Sequence, residues 1–331
     1  MAEAISDVRI HIDLLKPAAK TGLGQPAIFA TGAASKYEEF TSIDALEDAY
    51  ARTTAVYQKA AAIFKQENAP SKVSVITFKE GEAGLACETY FDKSWHFALL
   101  AEYVAADALA ISNFIEEKGF KFAVFQVSAV ADVTQFAKNA RTIVYIHPRA
   151  EENIDAAVVG NTSSLDVGSV TWKFRHNLVG VTANDISSIE LKAIHEAGAL
   201  AYVSKAAIPQ TSEGLTAGGE YIDALHGDDW IKANLETRIQ TLMTNTDKIT
   251  FDQTGIALLQ SEVKTVLEEA YKNGIIDTDD ATGEGNYTIT AAQRSDLKAE
   301  DISKRIYKGL SFYYKRAGAI HEVDVYGTIE V

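Results

Sequence analysis

The chain has 331 residues, 47% of them apolar and 23% charged, with five prolines and 21 glycines. That balance excludes a disordered, collagen-like or low-complexity chain, and a chain this long can bury about three quarters of its unfolded surface. Forty-six acidic residues against 31 basic ones leave a net charge of −15, which repels phosphate backbones and argues against direct binding of nucleic acid. No apolar run approaches the roughly 18 residues of a membrane span. The opening MAEAISDVRIHIDLL has no basic start followed by an apolar stretch, so no secretory signal is expected. A single cysteine, Cys87, can make neither an internal disulfide nor a zinc cluster. It reads as a small buried hydrophobe in a reduced compartment.

In chain order, Val8, Ile10, Ile12 and Leu14 alternate with Arg9, His11 and Asp13, the period of a strand with one buried face. The Pro- and Gly-containing stretch 16–26 reads as an extended linker. Helical spacing follows over 44–65, as one or two helices, and a β-branched strand over 73–78. Strand 95–101 precedes helix 105–117; strand 120–127 precedes helix 132–139; strand 142–146 follows. Helix 187–197 leads into strand 200–204. Strands separated by helices imply an α/β (α+β) fold with a mixed sheet flanked by helices.

Beyond about residue 209 the texture turns helical. Asp228 or Asp229 is placed to cap a helix over 230–244 with Ile231, Leu235, Ile239 and Leu242 on one face. A second helix runs from Thr254 to Lys272 and stops at Asn273-Gly274. After an acidic loop, 277–285, a short strand is expected over 287–290 and a helix from Leu297 to about Gly309. Finally Val323, Val325, Ile329 and Val331 alternate with acidic residues and Thr328, a second amphipathic terminal strand after the small stretch Ala317-Gly318-Ala319. The textures divide the chain into an N-terminal arm (1–20), an α/β body (21–208), a C-terminal helical part (209–316) and a C-terminal β-arm (317–331).

Chemistry is sparse. There is no phosphate loop, no HExxH and no GxSxG. His195-Glu196 lacks the second histidine of a zincin and reads as a helix-surface pair. His226, Asp228 and Asp229 bring an imidazole and two carboxylates together, the best opening for a metal-dependent α/β enzyme, but acidic residues before a long helix also suit its N-terminus electrostatically. The loop 277–284 lacks the order of calcium ligands. No catalytic, cofactor-binding or metal site is assigned. One local charge anomaly stands out: residues 298–316 carry six basic groups against two acidic ones. On a helix, Lys298, Lys304, Arg305 and Lys308 would cover the side opposite Ile302, Ile306 and Leu310, either as a solvated face or as a docking surface for an acidic partner.

Several segments, in order, resemble the contractile tail sheath proteins of bacteriophages and phage-tail-like bacteriocins. Residues 218–232, GGEYIDALHGDDWIK, resemble the G-x-x-I-D-x-x-x-G-x-D-W signature of that family, and 249–257, ITFDQTGIA, its P-Y-T-D-x-G-I-x segment with Thr250-Phe251 in place of Pro-Tyr. Ala140-Arg141-Thr142, Tyr145-Ile146-His147, GSVTWK at 168–173 and AGAIH at 317–321 are similar as well. The resemblance covers roughly residues 90–331, without room for large decorating domains. It implies a structural, non-enzymatic subunit that polymerises around an inner tail tube in stacked, usually sixfold rings. Baseplate and tail terminator proteins would be further partners in a virion or phage-tail-like particle built in a bacterial cytoplasm. It also implies that the terminal arms add strands to small sheets of neighbouring subunits, through Val8, Ile10, Ile12 and Leu14 at one end and Val323, Val325, Ile329 and Val331 at the other. The alternation alone is equally compatible with pairing inside one chain. The resemblance further implies a tube-proximal C-terminal region, which makes Lys298, Lys304, Arg305 and Lys308 candidate tube contacts.

Overall fold

A computed structural model of the chain describes residues 23–327 and 329. The N-terminal strand expected over 8–14, and Val331, lie outside them. The centre is a six-stranded sheet made of β1 (Pro26–Thr31), β2 (Lys36–Phe40), β3 (Val73–Phe78), β4 (Phe97–Leu100), β5 (Phe122–Val127) and β6 (Thr142–Ile146), in the order β2-β3-β1-β4-β5-β6. Only β2 runs antiparallel to its neighbour. Leu200 extends the sheet beyond β6 by a parallel bridge to Tyr145. Strands β4, β5 and β6 are buried along their whole length, as expected of a sheet covered on both faces.

One face is covered by α3 (Ala83–Thr89), α4 (Ala105–Lys118) and α6 (Ser188–Glu196), which share an apolar core with Phe29, Ile76 and Phe125. Cys87 is buried there, and burial pushes its thiol up to about 12. The other face carries α1 (Ile43–Glu47), α2 (Ala55–Phe64) and α5 (Ile154–Thr162). Local chemistry sets the ends. Thr54 caps α2, Ser187 and Glu190 form a capping box on α6, and Gly119 closes α4 in the left-handed region at φ 58°. The helix expected over 132–139 is instead two 3-10 turns, Val130–Asp132 and Thr134–Phe136. The stretch buries Val133, Phe136 and Asn139, a three-residue spacing that suits the tighter turn.

The hairpin of β7 (Tyr202–Lys205) and β8 (Ile208–Thr211) leads into α7 (Ile222–Asn245). α7 begins at Ile222, well before Asp228 and Asp229, so neither is an N-cap; both sit inside the helix and are held by long-range partners. Its first turns pack Ile222 and Leu225 against the sheet. Its later turns send Ile231 and Leu235 into a third core with Val263, Val266 and Leu267 of α8 (Gln253–Lys272). Asp252 caps α8 by accepting from the Gly255 amide at 2.9 Å. β9 (Tyr287–Ala291) and β10 (Leu310–Tyr314) form an antiparallel hairpin on that core. The helix expected over 297–309 shrinks to α9 (Ala299–Ser303). Arg305 takes φ 58° and ends it, and Leu310 belongs to β10, so Ile302, Ile306 and Leu310 share no helical face.

Candidate assembly interface

His226, Asp228 and Asp229 do not form one site. Asp229 faces the sheet, buried, with its Oδ2 2.5 Å from Arg141 Nη1 and 3.0 Å from His96 Nε2. Burial alone would raise the Asp229 carboxyl; the Arg141 guanidinium and His96 hold it below the usual range. His226 stacks on His96 with ring centres 5.2 Å apart, and burial drives its imidazole down to about 3. The neutral ring therefore carries its proton on Nε2, which donates to the Leu23 carbonyl at 2.8 Å. Asp228 lies on the other side of α7, where it accepts from Tyr314 and from Arg316, whose Nε is 3.1 Å away. The three side chains therefore point to different partners on two sides of the helix and converge on no common centre. Among the described residues no group of three or more His, Cys, Asp or Glu gathers as a metal site. His195 lies in the last turn of α6 and bonds Ser212 Oγ at 2.9 Å; Glu196 pairs with Lys192.

The first described residues and the C-terminal stretch are held at two defined places. Leu23 and Gly24 are held by His226 and by Ser163, whose carbonyl lies so close to Gly24 that no side chain would fit. A cleft of about 400 Å³ beside them is walled by Ser163, Leu165, Trp230 and Asn234. At the other end Arg316 bridges Ile276, and the Ala317 amide donates to the Ile275 carbonyl at 2.9 Å. His321 is then seated against the rings of Tyr221 and Phe174, with Nε2 2.9 Å from Thr171 Oγ1 and Nδ1 3.7 Å from Glu213. A cleft of about 240 Å³ lies at this seam, between Gly168–Thr171, Asp223 and Ala317–Ala319. Beyond His321 the chain is bare: Val323, Val325 and Ile329 are 74%, 86% and 91% exposed, and residues 322–327 pair with no strand of their own chain.

The hairpin beside this seam has an open edge. Lys315 donates to the Asn286 carbonyl and Ala292 to that of Gly309, so odd-numbered residues of β10 bond toward β9. The amides and carbonyls of Leu310, Phe312 and Tyr314 point the other way, where no further strand joins this two-stranded sheet among the described residues. The basic cluster is partly neutralised. Lys304 bonds Glu300 at 2.5 Å and Lys308 bonds Asp301 at 2.8 Å, whereas Lys298 and Arg305 stand exposed at the two ends of α9.

Residues 222–329 match the family model of the tail sheath protein gp31-like C-terminal domain of E217. No curated protein matches the chain in sequence. Among solved structures, a chain of the anti-feeding prophage baseplate, sixfold symmetrised, superposes with TM-score 0.71 at 11% identity over 100% of both chains. The sheath complex of an extracellular contractile injection system (PVC) in its contracted state gives TM-score 0.70 at 10% identity over 100% of this chain and 99% of that one. A crystal structure of a sheath tail protein from Desulfitobacterium hafniense gives TM-score 0.57 at 10% identity, covering 85% and 92%. The chain has the fold of a contractile sheath protein. The resemblance drawn from the motifs is borne out, and the sheath fold accounts for what the motifs do locally. GSVTWK places Thr171 under His321 and buries Trp172 in the sheet core, and the segment around Ile222 and Trp230 is α7. Thr171, Tyr221, His96 and Leu23 carried no local signal as contact residues; only the fold brings them to the two exits.

Proposed function

We propose that the chain is the structural subunit of a contractile tail sheath, which polymerises in stacked, sixfold rings around an inner tube and shortens to drive that tube through a cell envelope. The role is mechanical, not enzymatic. The observation that carries the reading is the C-terminal segment: an alternating apolar sequence, rooted at His321, that leaves its own fold unpaired beside a hairpin with an open edge. An exposed strand pattern and an exposed strand edge on identical copies are complementary by backbone hydrogen bonding, so one copy's arm completes another's sheet. Residues 317–331 and 1–20 are the arms in this reading, and 21–208 and 209–316 the body they connect. Val8, Ile10, Ile12, Leu14, Val323, Val325, Ile329 and Val331 supply the apolar face of the exchanged strands. Ten residues extend to about 33 Å, enough to reach a neighbour. Lys298 and Arg305 lead the contact with the inner tube, with Lys304 and Lys308 behind them; exposed pairs worth about 0–1 kcal/mol each break easily on firing. Baseplate and terminator proteins cap the cylinder, in a phage or phage-tail-like particle assembled in the bacterial cytoplasm.

Truncation tests this. Chains lacking residues 1–15 or 322–331 are expected to stay folded by circular dichroism and to give no striated cylinders by negative-stain microscopy when coexpressed with the tube. Cylinders of normal length from either truncation would overturn the arm reading.

A further inference from the structure

Leu23, at the start of the described residues, and the root of the C-terminal segment are tied to one helix, on opposite sides of it. His226 on α7 donates to the carbonyl of Leu23, the root of the N-terminal segment. Two positions along, on the far side of the helix, Asp228 accepts from Arg316 and Tyr314 at the root of the C-terminal segment. Seven residues before Asp228, and so on the same side, Tyr221 lays its ring against His321, with Asp223 lining the cleft there. The two clefts repeat the arrangement: one is lined by Leu23 and by Trp230 and Asn234 of α7, the other by Ala317 and by Asp223 and Ala224 of α7. Between the two sets of contacts Asp229 clamps α7 to the sheet through buried Arg141 and His96.

We infer that the first two turns of α7 are the common anchor of both terminal segments, so that load on either one is delivered to the same helix and through Asp229 to the central sheet. The anchoring is a property of the single chain. Its mechanical use, holding the two arms of a subunit in fixed relation while the bodies move, rests on the sheath reading above. Two roots on independent elements would have no support in common; two roots on one clamped helix both depend on the Asp229 clamp, so weakening the clamp loosens the two together.

Hydrogen exchange of the full-length, unassembled chain separates the roots. Asp228→Asn removes the charge that holds Arg316 and is expected to speed exchange about tenfold over 315–321 while leaving 23–31 unchanged. His226→Leu, which has no donor for the Leu23 carbonyl, is expected to do the reverse. Arg141→Lys, which touches neither root, weakens only the clamp and is expected to speed exchange at both in parallel, with β5 amides as the control for global folding. A change at one root alone in Arg141→Lys, or no change over 315–321 in Asp228→Asn, overturns the common anchor. The truncation experiment above can fail without touching this result, because exchange is read before any assembly.

Discussion

Asp229 is a carboxylate deep inside the protein whose cost is met by Arg141 and His96. Removing it alone leaves a buried guanidinium without a counter-charge, so Asp229→Ala is expected to lose about 3–5 kcal/mol in urea unfolding, and adding Arg141→Leu to recover part of that loss. The same cluster sets a pH dependence whose sign can be worked out. In the unfolded chain His226 binds a proton below its ordinary value of 6.5; in the folded chain burial delays this to about 3. Between those values the unfolded state holds more protons, so stability falls as pH is lowered, by up to ~1.4 kcal/mol per pH unit from this one residue. Burial lowers His96 as well, and the depressed carboxyl of Asp229 acts with the same sign at the acid end. His226→Gln keeps a donor for Leu23 but cannot titrate, so its melting temperature is expected to fall less steeply from pH 6 to pH 4. Identical slopes in the two proteins would show that the ring is not buried neutral.

Among the elements, α2 and α5 approach each other closely at Gly160. A Cβ on Gly160 would lie 2.6 Å from the Ile63 carbonyl and 2.8 Å from its Cα, backbone atoms that cannot swing aside. Gly160→Ala therefore has to part the two helices and is expected to cost about 1–3 kcal/mol in denaturant unfolding, against the usual gain from removing a helical glycine. α5 shows why some elements were hidden in the sequence. All nine of its residues are buried, so it has no polar face and no 3.6-residue pattern to betray it. β1 is apolar but poor in β-branched residues, and it begins at a proline. By contrast β6 reads correctly from its β-branched run, and the end of α8 from Asn273-Gly274, because those signals are local; the start read at Thr254 falls one residue inside the helix that Asp252 caps. The start of α7 was misplaced for the opposite reason. Tyr221 offers no capping side chain, while Asp228 and Asp229 look like caps in sequence and are in fact partners of Arg316 and Arg141, 88 residues away in each case. The exit of the C-terminal segment was legible as an alternating tip, and its seat at His321 was not, because Thr171 is 150 residues distant.

For the whole molecule, charge sets two contacts against each other. In the proposed cylinder a chain of net charge −15 has to pack against copies of itself, and like-charged bodies repel over a screening length of about 10 Å at 0.1 M salt. Nothing in backbone pairing between an arm and a hairpin edge depends on salt, so added salt weakens the repulsion and leaves the attraction. Copolymerisation of copies into sheath, followed by sedimentation, is therefore expected to improve as salt rises from about 0.02 to 0.2 M. The contact proposed for the tube has the opposite sign. It uses exposed cations, Lys298 and Arg305, whose steering of an acidic partner is screened over the same range. At low salt Arg305→Glu is expected to slow tube-templated assembly several-fold, with the difference from the parent chain vanishing by about 0.2 M salt, because screening removes from both proteins the field that distinguishes them. A defect in Arg305→Glu that persists unchanged at high salt would mean that the residue acts by packing at a subunit contact and not by charge toward the tube.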